Sequence, residues 1–146
     1  FNILKGLINF LIPFWNSRLN GNKRGLTYIS FYGGEPLLKF DFIKKTVEFI
    51  KGLKVNRTFV FSMTTNGVLL DKYMEYLVTN NFHLLVSLDG NQKNNSYRVF
   101  HNGKESFSRI VDNLVLLKQK YPIFYYENVN FNSVLHNGNN ITDIYN

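Results

Sequence analysis

An α/β fold with parallel strands and helical crossovers is what this sequence predicts, on three observations. Apolar spacing alternates along the chain between a helical and an extended rhythm. Two extended runs, Phe59-Val60-Phe61 and Leu84-Leu85-Val86, are continuously apolar, as in strands covered on both faces. The extended runs end in glycine or small polar residues, the composition of loops that turn a strand toward a helix.

Ile3, Leu4, Leu7, Ile8 and Leu11 recur at helical spacing, so the chain opens with an amphipathic helix. It is expected to end near Pro13, since proline lacks the N–H that continues a helix. Asn20-Gly21-Asn22 is a turn signal, and residues 27–32 (TYISFY) form a strand stopped by Gly33-Gly34. Asp41 can cap a helix whose core stripe is Ile43, Val47 and Ile50, extending to Leu53. Residues 58–63 (TFVFSM) form the next strand, ending at Thr64-Thr65-Asn66-Gly67. A helix follows with Asp71 near its start and Met74, Leu77 and Val78 inward. Residues 83–88 (HLLVSL) are a strand that stops at Asp89-Gly90, before a polar loop over 91–105. Ser106 reads as the N-cap of a helix carrying Phe107, Ile110, Leu114 and Leu117 on one face. Residues 127–135 (ENVNFNSVL) close the pattern as a fourth strand, before a turn at 137–140. The four strands are expected side by side in chain order, because parallel crossovers are right-handed.

Composition narrows the function. With 146 residues and 45% hydrophobic content, the chain can bury one real core. Its net charge of +7 lies partly at Lys44, Lys45, Lys51, Lys54 and Arg57, where the helix lysines fall between apolar positions. That is the pattern of a solvated face, not of a clustered nucleic-acid surface. Cysteine is absent, so the chain holds no disulfide, thiolate nucleophile or thiolate metal site. His83, His101 and His136 are scattered without metal-ligand spacing. The apolar stretch within 3–15 is interrupted by Lys5, Gly6 and Asn9 and is too short for a bilayer, which takes about 20 residues. No membrane partner and a cytoplasmic setting are therefore expected. Since the first residue is Phe1 and an apolar pattern starts at once, the chain is expected to be a segment of something longer.

Ligands of parallel α/β folds bind at the carboxyl ends of the strands. Those ends read GGEP, TTNG and SLDG, with NSV in the last strand. Taken singly, each is explained by turn chemistry alone. Gly33-Gly34-Glu35-Pro36 offers more: two glycines bare the main chain to a ligand, and a carboxylate beside them can join backbone carbonyls in receiving an ammonium group.

Residues 28–38 (YISFYGGEPLL) resemble the second strand and following loop of radical S-adenosylmethionine enzymes. The likeness is greatest to the peptide- and protein-modifying branch that includes anaerobic sulfatase-maturing enzymes and ribosomal-peptide maturases. Thr65-Asn66-Gly67 resembles the end of that branch's third strand, and Ser87-Leu88-Asp89-Gly90 the end of its fourth. Tyr97-Arg98 and residues 103–110 (GKESFSRI) resemble its following loop and helix. The resemblance implies that the fold is a piece of a partial (β/α) barrel. It implies a pocket in which Gly33, Gly34 and Glu35 face the ammonium of S-adenosylmethionine, and Ser87 offers a hydroxyl to the ribose or carboxylate. Arg109, near a helix start, would pair the carboxylate, with Arg98 as its competitor. Thr65, Asn66 and Asn132 would wall the nucleoside. Asp89 is read as a turn organiser rather than a proton carrier.

The family's radical chemistry needs three cysteines in CxxxCxxC order to hold a [4Fe–4S] cluster. None is present here. The expectation is thus a single partial core domain over residues 1–146, without the first strand, its cluster loop or the carboxyl-terminal part. The parent would cleave S-adenosylmethionine to a 5′-deoxyadenosyl radical and modify a peptide or protein, drawing on an electron donor. This chain alone would be inactive. The alternative is a cluster-free α/β module that binds a peptide or nucleotide without catalysis. A phosphate-binding enzyme ranks lower, since Glu35 places an acid where phosphate would be repelled.

Overall fold

The computed structural model describes residues 1–17, 25–100, 102–134 and 142. Helix α1 (Asn2–Asn16) leads to strand β1 (Leu26–Phe31) and, through a 3₁₀ turn at Pro36–Lys39, to α2 (Phe40–Lys51). Then come β2 (Thr58–Thr65), α3 (Leu70–Thr79), β3 (His83–Ser87), α4 (Phe107–Lys120), α5 (Pro122–Asn128) and β4 (Val129–Asn132). The strands form one sheet in the order β1-β2-β3-β4, every neighbouring pair parallel. This is the expected pairing and the expected order.

Right-handed crossovers between strands laid down in chain order place the helices on one face of a sheet. Burial follows that rule. Phe61 and Met63 of β2, and Leu84 and Val86 of β3, are buried with the inward residues of the helices. Those residues are Ile43, Val47 and Ile50 of α2, Leu70, Met74 and Leu77 of α3, and Ile110, Leu114 and Leu117 of α4. Phe82 is fully buried and stacks on Phe31 and Phe61 at 5.9 and 5.5 Å. The apolar runs had implied strands covered on both faces. Instead Val60 and Leu85 are half-buried, and Tyr28 and Tyr32 are 65% and 83% exposed. The second face is a concavity of about 290 Å³ whose lining includes Ser30, Ser62, Thr64, Leu85 and Asn130. Helices outside and polar side chains inside are the geometry of a partial (β/α) barrel.

Element ends depart from expectation where distant contacts set them. Helix α1 runs through Pro13 to Asn16, because its last turn is held from outside. Arg57 Nε and Nη2 donate to the Trp15 carbonyl at 3.0 and 2.7 Å, and the Trp15 ring meets Phe59 edge-on at 5.4 Å. Asp41 lies in the first turn of α2 but is not its cap, since the 3₁₀ turn runs straight into the helix. Ser106 occupies the N-cap of α4, yet its hydroxyl donates to the Arg98 carbonyl at 2.7 Å. The Glu105 carboxylate accepts the Phe107 N–H at 3.1 Å instead. Helix α5 was not expected: Glu127 belongs to it, and β4 starts only at Val129. Buried Phe124 and Asn128 hold α5 in place, Asn128 donating to the Asn81 side chain at 3.3 Å. The turns at 20–22 and 137–140, together with His101, Leu135 and His136, lie outside the described residues.

Candidate cofactor-binding site

Three strand ends and their loops meet along one rim. After β1, Gly33 and Gly34 take φ values of +98° and +45°, a region that L side chains rarely adopt. A Cβ added at either glycine would meet nothing within 4 Å, so the requirement is conformational and the main chain there is bare. Glu35 follows, and its carboxylate is occupied by the loops themselves. Oε1 accepts the Leu37 N–H at 3.0 Å and the Thr65 hydroxyl at 2.8 Å, while Oε2 accepts the Asn66 N–H at 2.8 Å. One carboxylate therefore fastens the loop after β1 to the loop after β2.

The second loop is built around Gly67. Thr65 is buried, and its hydroxyl also accepts the Gly67 N–H at 3.1 Å. Asn66 Oδ1 accepts the Val68 N–H at 3.0 Å, an Asx turn that leaves Asn66 half-buried. Gly67 has φ +78°, and a Cβ there would stand 3.1 Å from Ile110 and 3.2 Å from Val86. Asn113 of α4, 2% exposed, donates from Nδ2 to the carbonyls of both Gly67 and Val68 at 2.9 Å.

At the third strand end, half-buried Ser87 pairs in register with exposed Asn132 of β4. Asp89 is fully buried. Its Oδ1 accepts the Val134 N–H at 2.7 Å; its Oδ2 takes Arg98 Nε at 2.5 Å and the Tyr97 hydroxyl. Burial pushes the Asp89 carboxyl up, but the hydrogen bonds from Arg98, Tyr97 and Val134 and the Arg98 charge outweigh it, leaving its pKa lowered. Burial likewise lowers the Arg98 pKa, and the Asp89 hydrogen bond and charge reverse this to a net rise. Arg109, in the first turn of α4 and 46% exposed, donates from Nη2 to Asp71 Oδ2 at 2.7 Å.

The structure thus gathers Gly33, Gly34, Glu35, Thr65, Asn66, Ser87 and Asn132 at the carboxyl ends of the sheet. It separates the two arginines by partner: Arg98 inward on Asp89, Arg109 on Asp71 at the surface. Sequence reasoning passed over Asn113 and the Asp71 contact. A trace was present, since Asn113 interrupts the apolar stripe of α4 next to Leu114.

The residues fit S-adenosylmethionine. A bare glycine main chain suits its amino acid end, and hydroxyl and amide groups stand along the same rim. They do not fit a [4Fe–4S] cluster, for which the chain has no cysteine.

A parallel half-barrel with its polar groups gathered at the strand ends defines a domain of the partial β/α-barrel class. Residues 18–146 match the Radical SAM superfamily, and the chain belongs to that family. It is 31% identical over 122 residues to the cysteine-type anaerobic sulfatase-maturating enzyme of Clostridium novyi (strain NT), covering 81% of this chain and 32% of that protein. With the serine-type anaerobic sulfatase-maturating enzyme of Bacteroides thetaiotaomicron it shares 33% over 112 residues, 75% of this chain and 27% of the relative. The solved structure of native anSMEcpe with bound AdoMet and Kp18Cys peptide superposes with a TM-score of 0.71 at 25% identity. That superposition covers 94% of this chain and 38% of the other. The chain spans about a third of the length of the curated relatives it matches.

Proposed function

We propose that this chain is the cofactor-holding centre of a longer radical S-adenosylmethionine enzyme that modifies a peptide or protein side chain. The observation that carries the reading is the bare Gly33-Gly34 main chain standing at the rim shared by Ser87 and Asn132, in a chain of this family. Gly33 and Gly34 receive the ammonium of S-adenosylmethionine on their peptide groups. Glu35 adds its charge while fastening the neighbouring loop. Ser87 offers its hydroxyl to the ribose or carboxylate, Thr65, Asn66 and Asn132 shape the wall for the nucleoside, and Arg109 meets the carboxylate. Arg98 serves the same site indirectly, by holding Asp89.

When bound in the complete enzyme, S-adenosylmethionine would supply reductive radical chemistry toward a C–H bond of the substrate. The cluster's thiolates belong to polypeptide beyond these residues. A peptide or protein substrate is supported by the peptide-bound relative, and an electron donor by the reductive chemistry. A cytoplasmic setting suits that reductive chemistry. The absence of cysteine also favours a cluster-free binding module. A CxxxCxxC triplet in the complete polypeptide rules that module out.

The test is anaerobic calorimetric titration of the complete enzyme with S-adenosylmethionine. Hydrogen bonds to charged groups contribute about 1.5–3 kcal/mol, so Arg109→Ala should weaken binding about ten- to a hundredfold. Arg109→Lys recovers part of this, since a point charge lacks the fork. Arg98→Ala should cost less affinity. Unchanged affinity in Arg109→Ala removes the carboxylate role, and no binding by the unaltered enzyme removes the reading.

A further inference from the structure

Arg109 stands where a cation is poorly placed. It lies in the first turn of α4, and the start of a helix carries partial positive charge. Asp71 lies in the first turn of α3, where that field favours an anion. The two helices follow the adjacent strands β2 and β3, so both residues stand at helix starts on the strand-end side of the sheet. The contact is a single Nη2–Oδ2 bond of 2.7 Å, with 46% of the Arg109 side chain and 26% of the Asp71 side chain exposed. Guanidinium has five N–H donors. Engaging one nitrogen with Asp71 leaves the rest of the fork to meet another carboxylate.

Asp71 is costly as a purely structural residue. Its Oδ1 is buried with no hydrogen-bond partner among the described residues. Buried acceptors are nearly always paired. A carboxylate whose second oxygen is orphaned contributes little net stability, so its value lies in what it does to Arg109. The support beneath it is firm. One turn along the same face of α4, Asn113 binds the Gly67 and Val68 carbonyls, so α4 and the loop leading into α3 are joined.

We propose that Asp71 is a positioning residue for the cofactor. It holds one edge of the Arg109 guanidinium, offsets the unfavourable helix start, and so presents the remaining edge to the carboxylate of S-adenosylmethionine. This rests on the reading of Arg109 given above.

The test compares Asp71→Asn and Asp71→Ser in the complete enzyme, each with Arg109 intact and with Arg109→Ala. Anaerobic equilibrium binding of S-adenosylmethionine is measured without reductant, with thermal unfolding as the check on folding. With Arg109 present, either Asp71 variant should weaken binding about three- to tenfold. KM for the cofactor should rise and kcat at saturation should hold. In the Arg109→Ala background the same substitutions should change nothing. Equal losses in both backgrounds mean that Asp71 is merely structural and overturn the proposal. Tighter or unchanged binding in Asp71→Asn, with Arg109→Ala still weak, also overturns it, since Asp71 then competes for Arg109 or ignores it. Arg109→Ala binding normally sinks the underlying carboxylate reading instead, a distinct outcome.

Discussion

Asp89 gathers three pieces of chain around one carboxylate: the end of β3, the Tyr97-Arg98 segment and the end of β4. Its lowered pKa makes that gathering pH-dependent. The folded carboxyl holds its charge below the ordinary aspartate pKa of about 4. The stabilisation it gives is therefore complete above that value and is lost as pH falls from there through the folded pKa. Breaking a buried pair from one end costs about 3–5 kcal/mol, and less where the partner is partly solvated, as Arg98 is. Asp89→Asn should accordingly destabilise the chain by about 2–3 kcal/mol at pH 7. Urea unfolding at a series of pH values should show the gap from the unaltered chain closing below pH 4. A gap independent of pH means that the charge is not what matters. At this scale the sequence was half legible. Asp89-Gly90 announces a turn, but Val134, 45 residues on, leaves no local sign of pairing with it. A separation of 30 residues likewise hid the Glu35–Thr65 bond, so Glu35 was read as a turn residue or a ligand for an ammonium group and not as a tie between loops.

Helices were legible by their stripes, and their ends were not. Ile43, Val47 and Ile50, or Ile110, Leu114 and Leu117, repeat at a period that only a helix turns to one side. What stops a helix is settled by partners elsewhere in the chain. Arg57 carries α1 past Pro13, and Glu105 takes the capping role that the chemistry of Ser106 suggested. Helix α4 is the clearest case of an element with two duties. Its apolar stripe packs on the sheet, while Asn113 inside that stripe fastens the loop after β2. Asn113→Ala leaves two carbonyls without their donor and opens a small cavity. It should cost about 2–4 kcal/mol, read as a lowered urea midpoint at unchanged slope. The amides of residues 68–70 should exchange faster with solvent than those of α2. A midpoint within error of the unaltered chain shows that the loop holds its own shape.

At the scale of the molecule, the described helices cover the sheet on one side only. Among the described residues β1 and β4 are edge strands, each with a row of backbone groups outside the ladder. The apolar runs of β2 and β3 announced strands in a covered sheet but not how many faces helices would cover, since a barrel wall and an open doubly wound sheet use similar strands. The outer face of α1 adds to this incompleteness. Ile3, Leu7, Phe10 and Phe14, spaced to share one helix face, are 90%, 55%, 78% and 60% exposed. Soluble domains rarely leave such a stripe bare. The net charge of +7 works against association by repulsion, but that repulsion is screened beyond about 8 Å at physiological ionic strength. Contact between stripes or edges acts at shorter range, so burial should prevail. The chain by itself is expected to associate with itself, and more strongly as salt is raised. Sedimentation velocity over a range of concentration and salt measures this. Ile3→Lys with Phe10→Lys should shift the population toward monomer without changing the far-ultraviolet dichroism, because neither side chain is buried. If the double variant associates as strongly as the original, the edges of β1 and β4 carry the contact; a monomeric original chain at all salts means that neither surface is sticky.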